Sequence, residues 1–366
     1  MGEQTEASAR RRTGHDRLRL RWGGAAAFVV AVTVASLVAG GAAEAMTTDA
    51  GGPDRAPVTD PELAPVVSRI AGADRYDLSA EIAKKVSPTA TNVVYLASGA
   101  AFSDALSAGP AAAVSFAPLL LVAPDALPPS VATSLIRLDP IVIKVIGGPA
   151  SVSDGVLATV RTLMPRAAVT RISGSDRYAV SRAVVSDAFT GGAAGVMIAT
   201  GRDFPDALSA GAIAGGNGMP VILVDGAAPT ADVPTQTLVH TLGAGLAVVV
   251  GGPTSVSTGI EGTILTGGWV PRVSGANRYE VSLNLAEFSS PDYSTVYLAT
   301  GANFPDALAG GILAAKTHSP MFVVPPDCVP KGVLAQIASR GTKNVVLLGG
   351  SASLSPAVAT LTACSF

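Results

Sequence analysis

Gly99-Ala-Ala-Phe-Ser-Asp-Ala-Leu106 recurs as Gly201-Arg-Asp-Phe-Pro-Asp-Ala-Leu208 and as Gly301-Ala-Asn-Phe-Pro-Asp-Ala-Leu308. Each copy follows a short apolar run (Val93 to Ala97, Val196 to Ala199, Val296 to Ala299) and precedes an alanine-rich segment. An unbroken apolar run, a glycine and then helix-forming residues spell strand, tight turn and helix start. Three such turns define three units.

Other repeated stretches flank the turn. Upstream lies Arg69-Ile-Ala-Gly-Ala-Asp-Arg-Tyr76, matched by Arg171-Ile-Ser-Gly-Ser-Asp-Arg-Tyr178 and Arg272-Val-Ser-Gly-Ala-Asn-Arg-Tyr279. Downstream come aliphatic runs at Pro118 to Val122, Pro220 to Val224 and Pro320 to Val324, then at Ile141 to Ile146, Leu246 to Val250 and Val345 to Leu348. The last run of each unit ends in Gly147-Gly-Pro-Ala-Ser-Val-Ser153, Gly251-Gly-Pro-Thr-Ser-Val-Ser257 or Gly349-Gly-Ser-Ala-Ser-Leu-Ser355. Apolar strands without alternation, separated by helices, indicate a parallel sheet covered on both faces. The expected fold class is α/β, with three tandem small doubly wound parallel-sheet domains. The period exceeds the 20–50 residues or so of thin solenoids, so each unit is long enough for its own core.

The 366-residue chain is 48% apolar and 14% charged, which excludes a wholly disordered or polyelectrolyte chain. Six arginines precede an uncharged run from Gly23 to Ala43, and Ala43-Glu44-Ala45 has a small-x-small cleavage pattern. Residues 1–45 therefore read as a secretory signal, with retention as an N-terminal anchor the alternative. Residues 46–65, with Pro53, Pro57, Pro61 and Pro65, read as a flexible linker. The expected units are 66–166, 167–268 and 269–366. Removing residues 1–45 takes 6 of 25 basic and 4 of 27 acidic residues, leaving 19 against 23. That balance gives no global attraction to nucleic acid or anionic membranes. Cys328 and Cys364, both in the third unit and not in a CxxC, fit a disulfide in an exported chain.

The four motifs in fixed order, three times over, resemble the cell-wall-binding repeat type 2 family over residues 66–366. The resemblance implies three repeats packed about a pseudo-threefold axis and non-covalent attachment to an anionic secondary wall polymer. It also implies a location at the cell wall or surface of a Gram-positive bacterium. Asn277, Ser351 and Pro320-Met-Phe-Val depart from the pattern, which makes the third unit the weakest match. With no effector domain beside the triplet, the chain is expected to consist of wall-binding repeats alone.

Asp104, Asp206 and Asp306 fall in a first helical turn, where a carboxylate offsets the macrodipole and accepts backbone N–H groups. They also lie at the carboxyl end of a parallel sheet, where open α/β folds bind ligands. Asp74, Asp176 and Asn277 interchange as N-caps do. Capping does not explain Arg75, Arg177 and Arg278, whose planar forks suit a phosphate, a carboxylate or an internal salt bridge. Tyr76, Tyr178 and Tyr279 read as packing residues, and Ser153, Ser257 and Ser355 as N-caps. The six arginines and aspartates are the candidate polymer-binding residues.

No histidine recurs at equivalent positions, and neither Gly-x-Ser-x-Gly nor His-Glu-x-x-His occurs. Asp104 beside Asp154 is the one carboxylate pair open to hydrolysis, but Asp154 becomes Thr258 and Pro356 in the other units. The expectation is a non-catalytic protein without metal or cofactor. Its partner is an anionic wall glycopolymer, not nucleic acid, and it acts as a monomer forming an intramolecular pseudo-trimer without stable membrane insertion after signal cleavage. A carboxylate hydrolase and a scaffold with no polymer site are the alternatives.

Overall fold

The computed structural model describes residues 64–289 and 291–365. The expected signal segment and the linker up to residue 63 lie outside the described residues. Among the described residues no helix is long and apolar enough to cross a membrane.

Unit one runs β1 (Val66–Ile70), α1 (Arg75–Val86), β2 (Val93–Ser98), α2 (Phe102–Val114), β3 (Leu119–Val122), α3 (Pro129–Leu138), β4 (Val142–Ile146) and α4 (Asp154–Leu163). Unit two repeats this as β5 (Ala168–Ile172), α5 (Arg177–Ala188), β6 (Gly195–Thr200), α6 (Pro205–Gly216), β7 (Val221–Val224), α7 (Val233–Thr241), β8 (Leu246–Val250) and α8 (Thr258–Thr263). Unit three follows with β9 (Arg272–Val273), α9 (Arg278–Ser289), β10 (Thr295–Thr300), α10 (Pro305–Lys316), β11 (Met321–Val324), α11 (Lys331–Ser339), β12 (Asn344–Leu348) and α12 (Pro356–Ala359).

Every strand pairing is parallel, and the three sheets have the orders β3-β2-β4-β5, β7-β6-β8-β9 and β11-β10-β12-β1. The strands β3, β6, β7 and β11 are buried along their whole length, as expected for a sheet covered on both faces. The fourth strand of each sheet comes from the opening stretch of the next unit. In the third sheet it comes from the chain's first strand, with Val66 opposite Asn344 and Ile70 opposite Leu348. The sequence reading finds three strands per unit and misses this fourth one. The reason is physical: β1 and β5 are edge strands with mixed exposure, so they carry no unbroken apolar run.

The strand exchange joins the units into a closed ring, and the described residues form a single compact unit. At its centre α2, α6 and α10 pack together. Every residue of α10 from Pro305 to Ala315 is buried, so apart from Asp306 this stretch is apolar all round instead of amphipathic. Small residues let the backbones approach: a Cβ added to Gly215 would lie 2.7 Å from the Ala113 Cβ and 3.1 Å from the Ala315 Cβ. One apolar cluster consequently runs through all three units, with outer clusters under units one and three. Ser107 Oγ donates to Ser181 Oγ (2.7 Å) across the contact of units one and two, and Lys316 Nζ donates to the Val86 carbonyl between units three and one. The length of the repeat permits separate cores, but the molecule has a shared one.

Unit three ends differently. Cys328 and Cys364 are bonded, with their Cα atoms 5.0 Å apart, and Val329 forms a parallel bridge to Ala363. This strap holds the segment after the four-residue α12 where units one and two run on into the next strand. The bond closes a loop of 36 residues. Replacing both cysteines by serine should destabilise the protein by about 4 kcal/mol on the chain-entropy estimate, read as a lowered midpoint in denaturant titration.

Candidate functional site

In each sheet β2, β6 or β10 leads to a neighbour on one side and β4, β8 or β12 to a neighbour on the other, so the strand order reverses between β2 and β4, β6 and β8, and β10 and β12. In open α/β sheets the crevice beyond the carboxyl ends of such strands is the place where ligands bind. Two of the sequence motifs meet there. The Phe-x-Asp-Ala-Leu turn leaves β2, β6 or β10, and the Gly-Gly turn leaves β4, β8 or β12.

The aspartates enter this crevice almost buried, with Asp104, Asp206 and Asp306 only 5%, 8% and 7% exposed. Each lies in a first helical turn, as expected. Their carboxylates nevertheless accept no hydrogen bond from the helix N–H groups among the described residues. Oδ2 is turned instead against the first glycine of the Gly-Gly turn. A Cβ on Gly147, Gly251 or Gly349 would sit 2.2 Å from that oxygen, and these glycines have φ of +102°, +103° and +108°. Only glycine meets both demands. Burial raises the Asp206 carboxyl above the ordinary range; Asp203 adds to this, while Ser255 and Arg278 oppose it. Burial raises Asp306 too, against the pull of Ser353 and Arg75.

Arg278 and Arg75 belong to the units that follow Asp206 and Asp306. The site is therefore a junction between units, not a feature of one. At each junction the arginine begins a helix capped by Asp74, Asp176 or Asn277, which accepts two N–H groups of the first turn. Arg75, Arg177 and Arg278 each donate Nη1 to a glycine carbonyl of their own unit: Gly99 (2.5 Å), Gly201 (2.6 Å) and Gly301 (2.6 Å). Each guanidinium also lies over a phenylalanine of the preceding unit, with Arg75 6.0 Å from Phe304, Arg177 5.6 Å from Phe102 and Arg278 5.5 Å from Phe204. The three rings form a triangle with centroids 5.8, 5.9 and 6.0 Å apart. Among the described residues none of these arginines forms an ion pair within 4.0 Å, so the internal salt bridge considered from sequence is not made. Arg75 does not face Asp104 across its own turn; it reaches toward Asp306 of unit three.

A second arginine set went unweighed in the sequence. Arg69, Arg171 and Arg272 donate to the Gly349, Gly147 and Gly251 carbonyls of the preceding unit (2.7, 2.8 and 2.7 Å). Arg171 also bonds Asp154 (3.0 Å), which removes Asp154 as a free partner for Asp104. The phenylalanines were likewise part of the motif without a role. Their signal was identity at equivalent positions in all three units. Ser153 and Ser257 cap α4 and α8 through the N–H groups of Val156 and Ile260. Ser355 holds the same place but makes no cap bond, and its buried Oγ is unpartnered.

Two of the junctions open as clefts. The one between units two and three, about 220 Å³, is lined by Asp203, Asp206, Thr254, Ser255, Asn277 and Arg278. The one between units three and one, about 320 Å³, is lined by Asn303, Asp306, Ser351, Ser353, Asp74 and Arg75. Each sets hydroxyls, turn N–H groups, an arginine and a buried carboxyl around a shallow polar floor.

Residues 69–157, 171–261 and 272–359 match the Cell wall binding domain 2 family, and the chain belongs to it. Two proteins of Bacillus subtilis (strain 168) are similar to it. The N-acetylmuramoyl-L-alanine amidase LytC is 29% identical over 293 residues, which cover 80% of this chain and 57% of that protein. The amidase enhancer is 30% identical over 294 residues, 80% of this chain and 39% of that protein. Among solved structures, Cwp6 from Clostridium difficile superposes with a TM-score of 0.72 at 27% identity, over 82% of this chain and 48% of Cwp6. Cwp8 from the same organism has a TM-score of 0.72 at 23% identity, over 81% of this chain and 51% of its own, a likeness of fold.

Two substitutions probe the site. Gly349→Ala should cost about 3 kcal/mol through its positive φ and the contact with Asp306, and shortening Asp306 to alanine in the same chain should recover part of that loss in chemical denaturation. Asp206→Asn tests the buried charge. Because the folded carboxyl sits above its unfolded value, its contribution is full in acid and lost as pH rises through the folded value. The variant should therefore melt higher than the parent at pH 7, and the difference should vanish on acidification.

Proposed function

We propose that the protein is an exported, non-catalytic wall-binding protein that holds an anionic secondary wall polymer at the junctions between its units. The observation that carries this reading is the repeated junction itself. Each places an arginine, a serine-bearing Gly-Gly turn and a buried carboxyl at the switch point of a parallel sheet. The arginine's Nη1 is fixed on a carbonyl, so its fork is pre-oriented and little rotamer freedom is left to lose on meeting an oxyanion. Three weak sites on one repetitive polymer act at high effective concentration, and avidity can exceed single-site affinity by about 100-fold when the geometry fits. A single chain supplies all three junctions, so no oligomer is required.

Family membership supports wall binding, and two of the matched proteins are named for amidase activity or its enhancement. The similarity covers about half of those proteins, and the matched residues are the wall-binding repeats. The non-catalytic reading is supported by the ion pair of Arg171 with Asp154, the carboxylate that was the one candidate to work beside Asp104.

Co-sedimentation with purified Gram-positive walls, before and after chemical removal of their secondary polymers, tests the reading. Binding should be lost on stripped walls without release of soluble fragments. Retention on intact walls should fall steeply as salt is raised, because charge attraction at an open cleft is screened. Unchanged retention on stripped walls would overturn it in favour of a scaffold role, and released fragments in favour of a hydrolase.

A further inference from the structure

The junction between units three and one differs from the others in its Gly-Gly turn and in its buried carboxyl. Ser351 stands where units one and two have Pro149 and Pro253, which adds a backbone N–H and a hydroxyl that proline lacks. Asn303 stands where unit two has Asp203 and Asp74 where unit three has Asn277, so the second acid of this cleft is the carboxylate that caps α1. Finally, Asp306 is 7% exposed and its Oδ2 is buried without a hydrogen-bond partner. Among the described residues the N–H groups of Gly350, Ser351 and Ala352 also have no acceptor, while those of Ser353 and Leu354 close back on the Gly350 carbonyl.

We propose that this junction is a proton-coupled oxyanion site, in which Arg75, the Ser351 and Ser353 hydroxyls and the turn N–H groups hold a phosphate or carboxylate group while Asp306 takes up a proton. The proposal rests on the polymer-binding reading and sharpens it: the third unit, the weakest match in sequence, forms one side of the best anion site. The argument is one of charge. An ionised Asp306 would repel an entering oxyanion, and its buried oxygen has no donor to stabilise the charge. A neutral carboxyl removes the repulsion and leaves Arg75 uncompensated. Burial already pushes the Asp306 carboxyl up, and an adjacent anion pushes it further.

The charged groups around Asp306 do not offer a substitute. From unit one, Arg69 is held on the Gly349 and Leu354 carbonyls, and Asp74 caps α1 with its own carboxylate. Within unit three, Arg278 is held on the Gly301 carbonyl at the start of the turn. Arg75 is the cation that acts on the Asp306 carboxyl, alongside the Ser353 hydroxyl.

Inorganic sulfate is the probe, since it keeps its charge between pH 4 and pH 7 and any proton taken up must come to the protein. Isothermal titration of the intact protein should show affinity rising as pH falls, by up to about 10-fold per pH unit for one coupled proton. Asp306→Asn should bind at the acid-limit affinity throughout and lose most of this slope; histidines and other groups titrate equally in both proteins and cancel in the comparison. Ser351→Pro, which installs the residue of units one and two, should weaken sulfate binding about 3- to 10-fold. A wild-type slope in Asp306→Asn, or wild-type affinity in Ser351→Pro, overturns the proposal. Absence of sulfate binding at every pH also overturns it, and if retention on intact walls persists in that case the wall-binding reading stands without it.

Discussion

A parallel sheet of three strands with an open edge is the constraint on which this molecule is built. An exposed row of unpaired N–H and C=O groups invites pairing with another chain, and proteins cover or fill such edges. Here each edge is filled by the opening strand of the next unit. That single choice brings the next unit's first arginine onto the Gly-Gly turn and its capped helix onto the phenylalanine of the unit before. Ring closure, the shared core and the inter-unit clefts all follow from it. A unit removed from its neighbours would lose a strand, a face of its central helix and half of its cleft.

The arginines at the junctions act as fasteners, in addition to the ligand role proposed for them. Nη1 of Arg75 is fixed by Gly99, and its flat face rests over Phe304. One side chain thereby ties a turn of its own unit to the centre of another. The same arrangement in Arg177 and Arg278 surrounds the phenylalanine triangle with three cations. Lysine has neither the flat face nor the fork, which gives a physical reason for arginine at all three positions. Arg75 and Arg278 also line the inter-unit clefts, so one residue serves both the fold and the proposed ligand.

Much of this was legible from the chain. The unbroken apolar runs of Val93 to Ala97 and its counterparts gave parallel strands, and the glycine turns placed Asp104, Asp206 and Asp306 at the carboxyl ends of the sheets. What could not be read was which unit each motif serves. Repetition makes Arg75 and Asp104 neighbours in the count, while the strand exchange makes Arg75 and Asp306 neighbours in space. A sequence period reports equivalence, not contact, and edge strands such as Val66–Ile70 have no unbroken apolar signal to announce them. The aspartates' true partner was hidden for a related reason. A glycine needed because a carboxylate fills the place of its Cβ looks, in one sequence, like any turn glycine.

Ring closure also sets the order in which the chain can fold. Residues 66–70 find their partners at residues 344–348, so a strand laid down early waits until the third unit is in place. Units one and two can complete their sheets as soon as β5 and β9 follow them, by pairing over short stretches of chain. The last pairing spans nearly the whole folded part, and long-range parallel pairing is slow because the entropy of closing the loop is lost before contacts compensate for it. During that interval β1 and the rim of the third sheet are both unpaired, the condition under which repeat proteins misassemble or exchange segments between molecules. The closed ring is thus a late product of folding, and its last junction is assembled from the two most distant parts of the chain.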